Sequence, residues 1–186
     1  MIINIRGTNG SGKTHLVKRL IASHEMDDVV EDGKIIGHLL NGKLYVVGMY
    51  TKHGAHGGAD TIKTSDEICR RIREFSKYGN VIFEGVIVST VYQRWADLSE
   101  EIDQAWLWLC LNTSLEQCHN NISYRNFCMS YNKKLVDEKY KTVLRTAERA
   151  EEAGKWVLPL SNDDAFNRIE EWMRNWSVFP GYKIKF

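Results

Sequence analysis

The chain of 186 residues holds 25 Lys and Arg against 24 Asp and Glu, with 43% hydrophobic and 26% charged residues. That make-up fits one globular domain with a full hydrophobic core and argues against a uniformly basic nucleic-acid binder, although it leaves room for a local basic groove. No apolar run is long enough for a membrane-spanning helix, and four cysteines without Cys-x-x-Cys spacing argue against a zinc framework and for a reduced, cytoplasmic setting.

Ile2, Ile3 and Ile5 predict a buried strand over 2–6, not a secretory signal, because no basic leader precedes them. Gly7-Thr8-Asn9-Gly10-Ser11-Gly12-Lys13-Thr14 follows at once. Leu16, Val17, Leu20 and Ile21 then recur at helical spacing over 13–24. Strand, glycine-rich turn and helix form the context in which Gly-x4-Gly-Lys-Thr binds phosphate. Glycines let the backbone curl so that successive N–H groups face a polyphosphate, and the helix N-terminus adds partial positive charge. Lys13 reaches the β- and γ-phosphates, and the Thr14 hydroxyl is a Mg²⁺ ligand.

Two apolar runs, 34–40 and 44–50, flank Asn41-Gly42 and predict a hairpin. A polar, glycine-rich loop over 51–60 leads to a helix over 65–78 with Ile68, Ile72 and Phe75 as its buried stripe. A short buried strand, 80–84, ends in Glu84; a helix over 88–98 and a strand over 104–111 come next. Ser114 and Gln117 form a capping box for a helix that runs to Arg125. A polar stretch, 126–134, precedes a long helix, 135–153, ending at Gly154; a strand over 155–160 and a helix to Trp176 close the pattern. The tail from Phe179 to Phe186 has no assigned role.

With only two prolines and no repeat or low-complexity linker, residues 1–186 read as a single domain. Alternating strands and helices predict an α/β fold with a doubly wound, mainly parallel sheet, the 34–50 hairpin being its one antiparallel departure. Ligands bind at the carboxyl ends of the strands in such sheets, which gathers Gly7, Glu84, Asn112 and Ser161 at one edge.

Several residues there carry candidate chemistry. Glu84 is either a carboxylate that handles Mg²⁺ or a substrate proton, or a strand-end acid facing solvent. Asp60, after Gly57-Gly58, is either a general base for a substrate hydroxyl or the cap of the following helix. The paired glycines would bring the chain close to a ligand. His53 and His56 lack a third metal ligand nearby and belong to the loop or to substrate contact. Arg125 leads the cations of a lid region, about 125–141, that also holds Lys133, Lys134, Lys139 and Lys141, with Arg145 and Arg149 farther along the helix. Arg70, Arg71, Arg73 and Lys77 either track a nucleic-acid backbone or form an ordinary solvated helix face. Trp106, Trp108, Trp172 and Trp176 fit the core, while Trp95 or Tyr92 is a candidate to stack on a base.

A GTPase switch needs Asn-Lys-x-Asp, and the nearest string, Asn132-Lys133-Lys134-Leu135, ends in leucine. The Gly7-x-x-Gly10-x-Gly12-Lys13-Thr14 pattern, the strand ending in Glu84 and the Arg-bearing lid resemble the small-molecule and nucleotide kinases with a phosphate loop. Gly57-Gly-x-Asp-Thr-Ile62 and Asn80-Val-Ile-Phe-Glu-Gly85 are similar to segments of phage-encoded 5-hydroxymethyl-deoxyuridine DNA kinases. The resemblance implies γ-phosphate transfer from ATP to the hydroxymethyl group of a base in duplex DNA, in a host cytoplasm. It further implies that Lys13 and Thr14 handle ATP and Mg²⁺, that Asp60 is the base, that Arg125 is the lid cation, and that 161–163 contact adenine. Two alternatives stay open: a deoxynucleoside monophosphate kinase acting on free nucleotides, and a non-catalytic nucleotide-binding regulator.

Overall fold

A computed structural model describes residues 1–51, 57–127 and 129–176. The expectations for His53, His56, Cys128 and the tail beyond Trp176 lie outside the described residues. Seven strands form one sheet in the order β2-β3-β4-β5-β1-β6-β7. They are β1 (Ile2–Arg6), β2 (Met26–Glu31), β3 (Lys34–Leu40), β4 (Leu44–Val47), β5 (Asn80–Glu84), β6 (Trp106–Leu111) and β7 (Trp156–Leu160). The helices are α1 (Lys13–Ser23), α2 (Ser65–Ser76), α3 (Val86–Thr90), α4 (Gln93–Glu101), α5 (Leu115–Arg125), α6 (Lys133–Glu152) and α7 (Asn162–Asn175), with a 3₁₀ turn at Gly58–Thr61.

The sheet is doubly wound, as the alternating pattern predicts. Ile3 and Ile5 point to the face that α1 and α7 cover through Leu16, Val17, Leu20, Ala165, Ile169 and Met173. Ile2 points to the other, covered by Ile72 and Phe75 of α2, Val88 of α3, Trp95 of α4 and Ala150 of α6. Successive strand residues face opposite sides, so β1, buried on both, reads as an almost unbroken apolar run. β5 pairs with β1 on one side and β6 on the other, both parallel. The chain therefore reverses its direction of travel across the sheet at β1, where open α/β sheets place their ligands.

The hairpin forms as expected, but it is not the only antiparallel element. β2 pairs antiparallel with β3, which extends the hairpin into a three-stranded meander. Met-Asp-Asp-Val-Val-Glu carries three acids and buries only Val29, so its composition gave no strand signal. An edge strand needs only one buried side and favours such charges. β4 is not an appendage: it pairs parallel with β5 and belongs to the central sheet.

The helix expected over 88–98 is broken in two. Arg6 explains the break: its Nη2 donates to the carbonyls of Ser89 (2.8 Å) and Val91 (2.9 Å). A continuous helix would have used both oxygens for its own ladder. α6 begins at Lys133, capped by Asn132, whose side chain accepts from the Leu135 amide. The irregular connection from α5 is thus 126–132, and residues 133–141 of the expected lid are helical. His119 of α5 ties that connection down, bonding Tyr131 Oη at 2.8 Å and Asp137 of α6 at 2.7 Å.

Candidate functional site

β1 delivers the chain to Gly7 at the sheet edge, and α1 starts at Lys13 with Gly12 as its N-cap. Gly10 and Gly12 have φ of 77° and 94°, a left-handed backbone that side chains disfavour. Space is also short there: a Cβ at Gly10 would fall 2.3 Å from the Cys118 carbonyl oxygen. Three neighbours fasten the loop by its carbonyls. Asn121 Nδ2 donates to Gly10 (2.8 Å), Thr113 Oγ1 to Ser11 (2.9 Å) and Asn162 Nδ2 to Gly12 (3.0 Å). With its carbonyls held by α5, the β6–α5 connection and the start of α7, the loop keeps amide groups for an anion, beside the positive end of α1.

Lys13 is buried, and its Nζ donates to the carbonyls of Gly7 (2.7 Å) and Thr8 (3.0 Å). Burial lowers its pKa, and the charges of Glu84 and Asp60 oppose that shift. Glu84, at the end of β5, is fully buried, which removes the solvent-facing alternative. Its Oε1 accepts from Thr14 Oγ1 at 3.0 Å and from Tyr50 Oη at 3.1 Å. Its Oε2 is buried without a partner among the described residues. Burial pushes this carboxyl above its ordinary range, while the Lys13 ammonium and the two hydroxyls pull the other way.

Gly57 and Gly58 do not act as a pair of ligand-facing hinges. Gly58 has φ of 67° and lies against Glu84 and Tyr50: a Cβ there would approach Glu84 Oε1 to 2.7 Å. The close approach serves packing around the carboxylate. The next turn carries Asp60, which is exposed and accepts with both carboxylate oxygens from the Val86 amide, at 3.0 and 3.1 Å. Asp60 therefore caps a helix, but α3 and not the expected α2, whose cap is Thr64. That bond fixes the carboxylate in place while leaving it at the surface of the site.

Lys13, Thr14, Asp60, Glu84 and Arg125 all line one cavity of about 770 Å³, together with Asn121, Tyr124, Asn162 and Asp163. The volume suits a nucleotide-sized ligand. The structure thus brings together every residue singled out as catalytic, although they come from five separate places in the chain. Asn162 and Asp163 lie where the loop after the last strand was expected to meet a base, and Arg19 of α1 ties both down.

Other expectations fail. Trp95 is fully buried in the core, and Tyr92 packs on Trp108 with Arg149 over its ring, so neither offers a free face to a base. The cations of α2 are paired: Arg70 with Glu31 and Glu67, Arg71 with Glu67, Arg73 with Glu101, and Lys77 with Glu74. Tyr50, Asn121 and Asn162 escaped the sequence reading, since a buried phenol and two amides carry no motif.

Residues 1–158 match the family model for the 5-hmdU DNA kinase. The chain belongs to the 5-hmdU DNA kinase family. A relative named 5-hmdU DNA kinase, from Pseudomonas phage PaMx11, is 31% identical over 183 residues, covering 91% of this chain and 95% of that one. Another, from Pseudomonas phage M6, is 30% identical over 184 residues and covers 93% and 97%. Among solved structures, deoxyadenosine kinase from M. mycoides with bound dATP is similar with a TM-score of 0.37 at 12% identity, covering 94% of this chain and 98% of that one. Membership makes the protein a phosphotransferase of the kinase type, and its phosphate loop is the nucleotide-binding element of that kinase.

The residues present fit a Mg²⁺-bound nucleotide. Glu84 Oε2 is a buried oxygen without a partner, next to the Thr14 hydroxyl. Among the described residues no three His, Cys, Asp or Glu side chains gather into a site. Mg²⁺ suits such a sparse donor set, because it takes one or two protein oxygens and fills its octahedron with phosphate and water.

Proposed function

We propose that this kinase transfers the γ-phosphate of ATP to the hydroxymethyl group of 5-hydroxymethyl-deoxyuridine in phage DNA, inside the host cytoplasm. The observation that carries the reading is the position of Asp60. An exposed carboxylate, anchored through Val86, shares a cavity with a complete phosphate loop. The named relatives supply the acceptor.

Lys13 and the loop amides hold the triphosphate, and Thr14 and Glu84 would hold Mg²⁺. When bound, that ion neutralises charge on the phosphate oxygens. Asp60 accepts the proton of the hydroxymethyl oxygen as that oxygen bonds to the γ-phosphorus. The bond to the β-phosphate bridging oxygen breaks, and ADP leaves with the electron pair. Arg125 neutralises charge spreading over the transferred group. A base within a duplex must leave the stack to reach this cavity.

The test is transfer of label from γ-labelled ATP to DNA containing hydroxymethyluracil and, separately, to the free nucleotide. Label in DNA is expected. Label on the free nucleotide alone would make the protein a nucleoside monophosphate kinase. Lys13→Ala should abolish transfer. Asp60→Asn should lower kcat by roughly 10²–10⁴ while ATP affinity stays within a few-fold. A pure nucleotide-binding regulator would show no wild-type turnover.

A further inference from the structure

The connection between α5 and α6 carries large apolar side chains that the core does not use. Tyr124 is 87% exposed and Phe127 is 89% exposed. Single exposed aromatics are ordinary on protein surfaces, but three further observations set this pair apart.

The first is backbone strain. Phe127 has φ of 51°, in the left-handed region, one residue past the α5 cap at Asn126. Glycine is the relaxed choice at such a helix end, and a bulky aromatic is a steric outlier. Its amide still closes the helix end by donating to the Tyr124 carbonyl at 3.1 Å, while its ring stands in solvent. A strained residue whose side chain gains no packing in return points to a use outside the fold.

The second is charge. Between Gln117 and Val136 the sequence has no Asp or Glu, but it has Arg125, Lys133 and Lys134. The first acid beyond, Asp137, is taken by His119. Lys133 and Lys134 are exposed, whereas the rival basic face on α2 is neutralised by its own carboxylates. The third is position: Tyr124 and Arg125 stand at the wall of the cavity that holds the phosphate loop and Asp60.

We propose that this junction is the surface that holds the nucleic-acid strand bearing the acceptor. Phe127 stacks on an unpaired base, and Lys133 and Lys134 take backbone phosphates. Aromatic faces interleaved with unpaired cations are the pattern that binds single strands without sequence preference. A duplex opened to release one base presents such a strand. The inference rests on DNA being the acceptor.

Three proteins test it: wild type, Phe127→Gly, and Lys133→Ala with Lys134→Ala. The measurements are binding to a fluorescent single-stranded oligonucleotide across salt concentrations, KM for hydroxymethyluracil DNA at saturating ATP, KM for ATP, and melting temperature. Phe127→Gly should weaken strand binding about tenfold or more, with KM for ATP unchanged. Its melting temperature should hold or rise, because glycine relaxes the left-handed position; a purely structural phenylalanine would lower it. The lysine pair should flatten the slope of log affinity against log salt by about 1.4. Wild-type DNA affinity, DNA KM and salt slope in both variants, with transfer to DNA intact, would overturn the surface and leave the proposed activity standing. A rise in KM for ATP alone would assign Phe127 to the donor nucleotide and also overturn it. Transfer to free nucleotide and never to DNA would instead show that the acceptor reading fails, and the surface with it.

Discussion

Burying Glu84 next to Lys13 removes two charges from water, and the surrounding hydroxyls compensate only in part. The carboxyl is pushed up chiefly by burial. In the ligand-free protein its folded pKa therefore exceeds the unfolded value of about 4.3. The folded state keeps the proton longer, so this group's contribution to stability falls as pH rises through that window and is constant above it. Tyr50 is the lever on this balance. Its hydroxyl donates to Glu84 Oε1 and so favours the ionised form. Tyr50→Phe should move the acid limb of kcat/KM to higher pH, since the carboxylate loses a donor and gains a proton more readily. A pH–rate profile checks it, and an unmoved limb would mean that another group sets that limb.

At the level of elements, α2 shows why a run of basic residues is a weak sign of nucleic-acid binding. Its four cations alternate with Asp66, Glu67 and Glu74 along the helix and face Glu31 and Glu101 across it. Each cation already has a local partner, so releasing counterions from DNA would first require breaking an ion pair. Arg73→Ala should leave DNA affinity and its salt slope as in the wild type, measured by the same titration that tests Lys133 and Lys134. A flatter slope in Arg73→Ala would return α2 to the DNA surface. α5 and α6 differ because the segment joining them has no acids to spend on its own cations.

Across the whole molecule, Arg6 binds the two layers of helices to the phosphate loop. It is fully buried, and its guanidinium lies 4.3 Å over the Trp108 ring. One nitrogen, Nη2, bonds Ser89, Val91 and Thr146, which joins β1 to α3, its exit and α6. Ser89 in turn accepts from the Gly7 amide with its hydroxyl (3.2 Å) and donates to the Gly85 carbonyl (2.7 Å). Burial lowers the Arg6 pKa to about 10, which still leaves it charged at neutral pH, with no carboxylate bonded to it. Arg6→Met would remove that buried charge but leave the Val91 carbonyl without its donor. The second effect should win, with a loss of about 1–3 kcal/mol in urea unfolding. A more stable variant would show that charge burial dominates.

The sequence by itself determined the α/β class, the phosphate loop, the capping of α5 by Ser114 and the kinase reading. These rest on local signals: apolar period, glycine spacing and a short motif whose geometry is closed within eight residues. It also nominated Lys13, Thr14, Asp60, Glu84 and Arg125, but left open what Asp60, Glu84 and the cations do. Only the tertiary structure decided those, because burial and pairing depend on partners far along the chain. Glu84 is buried because Tyr50 and Gly58 close over it, Asp60 is held by an amide 26 positions away, and α2 is neutralised by Glu31 and Glu101. The same long-range contacts hid β2, which is a strand only because β3 lies beside it.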